Sequence, residues 1–310
     1  MSDPTLIAFA LATAAALLPL AFVAAACSSS SSKTSSTTAA AGGTATTSGG
    51  ASLASMLPAA VASAKAINVG SDISYAPVES YTAGTQTAVG IDIDLCNAMV
   101  AQFGSGFTCK FQNTTFDNII PALLAQRFDI IMSAMSDTKD RQGKIDFVDY
   151  FNAGTSILVA KGNPKNIQSL DDLCGLVVGI QKGTTQEQLA VAQKAKCATS
   201  GKALTVLTYT TDTDAQLALK AGRSVADMND FPVAAYTAQT SGGGNDFQVV
   251  GQQLSAGPYG IGVRKDNTQL RDAMQAALKA IIANGTYDQI LAKWNVSQGS
   301  LKTAAINGGS

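Results

Sequence analysis

Residues able to do chemistry gather at a few points of the chain. In "SAMSDTKDRQ", Ser133 to Gln142, small and hydroxyl side chains lead to Arg141. A guanidinium is a planar fork of donors that pairs bidentately with a carboxylate. Ser133, Ala134 and Ser136 leave room for a ligand, expose backbone donors and add hydroxyls. In "QKGTTQ", Gly183-Thr184-Thr185 opens a helix, whose free N–H groups and dipole favour an anion. Asp230 supplies the opposite charge, which suits an ammonium. A carboxylate beside an ammonium is the head group of an α-amino acid. Each residue also has a plainer reading. Arg141 could be a solvated helix residue in "DTKDR", Asp230 the N-cap of "FPVAAYTAQ", and Thr184 and Thr185 caps alone. Tyr75 and Phe116 could line the same cleft. Ring faces would attract a cationic side chain by about 0.5–2 kcal/mol. The alternative for both is ordinary packing, and Phe116 taken alone fits that alternative.

The elements that must position these groups are short apolar strands alternating with amphipathic helices from Lys65 onward. Strands are expected at "AINVG", "TCKFQ", "FDIIM", "TSILVA", "LVVGI", "LTVLTY", "VADM", "FQVV" and "YGIGV". In "IDIDLCNAMVAQF", apolar residues at 91, 95, 99 and 103 share one helical face. "NIIPALLAQ" tolerates Pro121 in its first turn, and "TTQEQLAVAQKAK" opens with the capping pair Thr184 and Glu187. "TQLRDAMQAALKAIIANG" is a long helix stopped at Asn284-Gly285. This alternation predicts an α/β fold with mainly parallel sheets. Ligands of such sheets sit beyond the carboxyl ends of the strands. "SDISY", "SAMSDTKDRQ", "QKGTTQ" and Asn229-Asp230 all follow carboxyl ends, so they converge on one cleft.

The chain has 310 residues, 46% of them hydrophobic, a formal charge of −1 and no histidine. No basic block occurs, which argues against nucleic acid as a partner. The apolar run from Leu6 to Cys27 reads as a signal peptide ending in a lipobox, "AAAC". Lys and Arg are absent before it and Asp3 is present, so an uncleaved anchor is the alternative. Residues 28–64, rich in Ser, Thr, Gly and Ala, are expected to form a disordered tether. Cys27 would carry the lipid. The other four cysteines, Cys96, Cys109, Cys174 and Cys197, allow three pairings. The sequential pairing keeps each bridge within one expected lobe and is favoured in an exported chain. Buried free thiols are the alternative, more so for Cys96 and Cys109.

From Ile67 to Val296 the chain resembles the family 3 extracellular solute-binding proteins, the amino-acid receptors of ABC importers. "GSDISYAPVES", "GIDIDLCNAM", "FDNIIPALLAQRFDIIMSAMSDTKDRQGKIDF", "VGIQKGTTQEQ", "AGRSVADMNDFPVAAY", "YGIGVRKD" and "NGTYDQILAKW" follow the family in order and spacing. The resemblance implies a type II periplasmic-binding-protein fold, two α/β lobes joined by a two-segment hinge. Lobe 1 is expected at 65–155 and 251–299, lobe 2 at 156–250, and a tail at 300–310. The crossings are expected near Gly154-Thr155 and Val249-Val250. The resemblance also implies roles. Arg141, helped by Ser136 and Thr185, binds the ligand carboxylate. Asp230, with a carbonyl near Ser133 or Ala134, binds the amino group. Tyr75 and Phe116 sandwich the side chain, Asp72 faces its distal end, and Gln181 varies with specificity. Ala134 and Val78 depart from the family's usual serine and phenylalanine.

These readings point to a lipid-anchored receptor that binds a polar amino acid, with a basic side chain in view, and delivers it to an importer permease. It is expected at the outer face of the membrane, or in a periplasm, as a monomer without cofactors. Two other functions are weighed. One is an enzyme resembling cyclohexadienyl or arogenate dehydratases, for which Asp72 or Glu79 would be the acid; no paired carboxylates are evident to back it. The other is a sensor for a membrane signalling partner.

Overall fold

In a computed structural model, residues 52–310 are described; Cys27, the signal peptide and tether residues 28–51 lie outside them. The elements run α1 Ala59–Ala64, β1 Ala66–Ser71, β2 Ser74–Tyr75, β3 Glu79–Tyr81, β4 Ala88–Val89, α2 Ile91–Ala101 and β5 Thr108–Asn113. They continue with α3 Ile119–Leu124, β6 Ile130–Ile131, α4 Lys139–Gln142, β7 Ile145–Ala160, β8 Val177–Gln181, α5 Thr185–Thr199 and β9 Thr205–Tyr209. Last come α6 Asp212–Lys220, β10 Ala226–Asp230, α7 Phe231–Thr240, β11 Phe247–Arg264, α8 Thr268–Ala283 and α9 Thr286–Lys293. Eight strands form one sheet in the order β5-β1-β6-β11-β7-β10-β8-β9.

The strands flanking the middle are parallel, as the α/β alternation predicts. β1 pairs in parallel with β5 and β6, and β8 with β9 and β10. The two central strands differ from expectation. "TSILVA" is only the end of β7, while "FQVV" and "YGIGV" are the two ends of one strand, β11. β7 and β11 pair antiparallel along both halves of the sheet, with register shifts between Val250 and Leu254 and between Leu254 and Gly257. The first half, around β1, packs Leu95, Met99, Ile130, Ile261 and Leu278 into one core; the second packs Ile157, Val178, Ile180 and Met228 into another.

The α2 face at 91, 95, 99 and 103 is buried throughout: Ile91, Leu95, Met99 and Phe103. Each fully buried side chain of this kind contributes about 1.5–3 kcal/mol. Pro121 sits in the first turn of α3, where its missing N–H costs nothing. The disulfides are Cys96–Cys109, tying α2 to β5, and Cys174–Cys197, tying α5 to the turn at Leu170–Leu173. The favoured pairing is therefore the one present, and the free-thiol alternative is not.

The expected tether is too long at its end. Leu53–Met56 form a helical turn, α1 follows, and Leu57 and Val61 are buried in the first core. Residues 53–64 fold because these two apolar side chains have a surface to cover. A small sheet, β2-β3-β4, was not expected; it places Tyr75 and Glu79 beside each other on paired strands.

Candidate functional site

Four strand ends meet at one cavity. β1 delivers Asp72, β6 is followed by Ser133 to Ser136, β8 ends at Gln181, and β10 ends at Asp230. Asp72, Tyr75, Phe116, Ser133, Ala134, Ser136, Arg141, Gln181, Thr184, Thr185 and Asp230, the whole set expected from the sequence, line this cavity. Glu79 and Gln186 complete the wall. The side chains close tightly on one another: the free space between them is about 10 Å³, room for about one water molecule.

Arg141 is on the short helix α4, whose start is capped by the Thr138 hydroxyl. It is 6% exposed, so it is not a solvated helix residue. Nη1 donates to Ser136 O at 2.8 Å, and Nη2 donates to Gly183 O at 3.1 Å on the other half of the sheet. The guanidinium lies 5.4 Å from the Phe116 ring centroid. Phe116 therefore supports the arginine itself as well as lining the cavity. Burial lowers the guanidinium to about 10, with Asp230, Asp140 and Asp137 pulling it back up. It stays charged at neutral pH.

Asp230 is also 6% exposed. It stands at the N-cap position of α7, yet its side chain makes no capping bond. Instead Oδ2 accepts from the Tyr75 hydroxyl at 3.1 Å and Oδ1 accepts from Gln186 Nε2 at 2.7 Å. The same hydroxyl accepts from the Asp230 N–H at 2.9 Å. Burial pushes the carboxyl up to about 6; the Tyr259 and Tyr75 hydroxyls, Gln186 and Arg141 work against the rise. Asp72, which also lines the cavity, accepts from Ser74 Oγ and from Gln181 Nε2, both at 2.6 Å. Burial raises the Asp72 carboxyl as well.

The hydroxyls divide by task. Thr184 caps α5: its Oγ1 accepts from Glu187 N at 3.1 Å and donates to Gln181 O at 2.7 Å, so it is already engaged. The Glu187 carboxylate accepts from Gly183 N at 2.7 Å, one residue before the expected capping partner. Ser133 Oγ accepts from Asp72 N and donates to Glu79 Oε1, each at 2.9 Å, which fixes Asp72 from behind. Ala134 has φ 45°, a left-handed backbone that costs a non-glycine residue about 1–2 kcal/mol. Its N–H donates to Asp92 Oδ2 at 3.1 Å. Gly183, φ +81°, approaches the other half so closely that a Cβ would come within 2.9 Å of Asp117 Cα.

Paired carboxylates, not evident in the sequence, are present beside the cavity. Glu79 and Asp92 are a buried carboxyl pair, each 0% exposed. Glu79 Oε2 and Asp92 Oδ1 find no donor among the described residues. Burial and then Asp92 push Glu79 well above the usual carboxyl range, and burial pushes Asp92 to about 7. The pairing was hidden because the hairpin β2-β3 brings Glu79 back onto the first turn of α2. Gln186 carries a local signal in the sequence, its place next to Thr185 at the start of α5.

Residues 67–297 match the bacterial extracellular solute-binding proteins, family 3. The chain is 32% identical over 255 residues to the arginine-binding protein ArgT of Corynebacterium glutamicum, covering 82% of each chain. An ancestral arginine-binding protein, solved bound to arginine, superposes with a TM-score of 0.68 at 34% identity, covering 74% of this chain and 98% of that one. The ancestral amino acid-binding protein AncCDT-1, a precursor of cyclohexadienyl dehydratase, superposes with a TM-score of 0.67 at 34% identity, covering 76% and 97%.

Proposed function

Because the chain belongs to the bacterial extracellular solute-binding proteins of family 3 and has their two-lobed type II fold, we propose that it is an exported receptor, lipid-anchored at Cys27, that captures a basic amino acid and hands it to an ABC importer permease. Residues 65–155 with 251–299 form lobe 1 and 156–250 lobe 2, crossing near Gly154-Thr155 and Val249-Val250. Arg141 grips the carboxylate with Ser136 and Thr185, and Asp230 the ammonium with a carbonyl near Ser133 or Ala134. Tyr75 and Phe116 flank the side chain, and Asp72 with Gln181 meets its far end. Ligand stabilises the closed lobes through contacts made only there.

The observation that carries this reading is that Arg141 and Asp230, of opposite charge, line one cavity. Charge favours a basic cargo. The cavity lining has one cationic side chain, Arg141, against three carboxyls, Asp72, Glu79 and Asp230, a surplus of acidic groups that suits a zwitterion with a cationic side chain. The names of relatives that bind arginine point the same way. The test is a thermal-shift screen of residues 52–310 against the twenty amino acids, since a ligand that binds only the folded state raises its melting point. Arginine or lysine should give the largest shift. A response to glutamine with none to arginine or lysine defeats the basic assignment, and no response to any amino acid defeats the receptor.

A second reading keeps one observation in its favour. The Glu79 carboxyl lines the cavity, and burial, then Asp92, raise it well above the usual carboxyl range, the direction a dehydratase acid requires. Incubation with arogenate and prephenate decides between them; the receptor reading expects no product.

A further inference from the structure

Residues 298–310 lie past the stretch that matches the family, 67–297. Leu301–Ser310 nevertheless folds back onto the first half of the sheet. Ile306 bridges Val148 antiparallel. Asp149 N donates to Ala305 O at 2.9 Å, and Asn307 N donates to Phe147 O at 3.1 Å. The Asn307 side chain accepts from Phe147 N at 2.8 Å and donates to Asp146 Oδ1 at 3.1 Å. The segment thus covers the side of β7 that β11 leaves open, as protected edges require.

Its last residues reach further, to the loop that carries Ser136 and Arg141. Gly308 N donates to Asp149 Oδ2 at 3.0 Å, and Gly309 N donates to Asp137 Oδ2 at 2.8 Å. Gln142 Nε2 donates to Asp137 Oδ1 at 2.9 Å, to Gly309 O at 3.1 Å and to Asn307 O at 3.2 Å. Asp137 and Gln142 are the chain neighbours of Ser136 and Arg141. Gly309 fits because it has no side chain; a Cβ there would overlap the Asp137 carbonyl oxygen. Covering an edge does not require these contacts. They fix the two ends of the Asp137–Gln142 loop against one another, and the Arg141 fork is aimed from inside that loop.

We propose that Leu301–Ser310 is a positioning strap for the anion subsite, setting the aim of Arg141 through Gly309 and Gln142. This rests on the reading that Arg141 binds the ligand carboxylate. The test compares Gly309→Ala and Gln142→Met with the unaltered protein by calorimetry, using L-arginine and L-argininamide, which lacks the carboxylate. Gln142→Met keeps the side-chain shape without the donor and serves if Gly309→Ala does not fold. Arginine should bind about tenfold more weakly in each variant, the cost of one misaligned charge-assisted hydrogen bond. The amide should lose less than about threefold. An equal loss for both ligands, or none for either, overturns the strap. If the unaltered protein ignores arginine, or if Arg141→Ala retains its affinity, the underlying reading fails and the strap with it; a strap that fails alone leaves the Arg141→Ala loss in place.

Discussion

Replacing Asp230 with asparagine should separate binding from stability. In the folded protein the carboxyl is raised from 3.8 to about 6, so holding it ionised at neutral pH costs about 3 kcal/mol. A carboxyl with a raised folded pKa contributes stability that is present below the unfolded value and lost as pH rises through the folded one. The amide avoids that cost but offers one acceptor to two donors, the Tyr75 hydroxyl and Gln186 Nε2. The mismatch returns about 1–3 kcal/mol. The net change is small and leans toward stabilisation, so the melting temperature should hold or rise by a few degrees. Binding should collapse, because removing one partner of a buried charge pair costs about 2–5 kcal/mol, roughly 30- to 4,000-fold in Kd. In the unaltered protein, affinity should fall as pH drops through about 6, and this dependence should vanish in the variant. Calorimetry from pH 5 to 8, with melting curves at each pH, reads both quantities. A Kd within threefold of the unaltered protein, or a variant clearly less stable at pH 7, refutes the reasoning.

Other outcomes follow from the same geometry. Asp72→Asn should weaken arginine and lysine by about 1–3 kcal/mol and change glutamine little, inverting the selectivity read by competition binding. Gly183→Ala places a methyl against Asp117 and strains a φ of +81°; affinity should drop about tenfold, and the strained backbone should lower the melting temperature by a few degrees. Reducing Cys174–Cys197, which spans 23 residues, should cost about 2–4 kcal/mol, visible as a lower melting point under reductant.

The sequence made the site legible and left its support hidden, for physical reasons. Strand ends can be read from apolar runs, and polar clusters after them define a cleft whatever the details of the sheet. Hence Asp72, Arg141, Thr185 and Asp230 could be grouped before any contact was known. The long strands escaped because "IDFVDYFNAG" breaks alternation: Asp146 and Asp149 are buried inside β7, one paired with Arg271 and one bonded by Gly308. Polar residues inside a strand read as loop until their partners, distant in sequence, are seen. Residues 53–64 share their Ala/Ser composition with the tract before them, and only Leu57 and Val61 reveal the packing. Whether a hydroxyl faces a ligand or a neighbour is likewise a three-dimensional fact, as Ser133 and Thr184 illustrate.

β7 and β11 run side by side through both lobes, bonded to each other before and after the break at Val250–Gly257. A single connecting ribbon could swivel in any direction. Two ribbons laid together can twist and bend, but sliding one lobe past the other would shear their shared ladder. Any movement of one half of the sheet against the other would therefore have to bend both ribbons together, as a door turns on two pins.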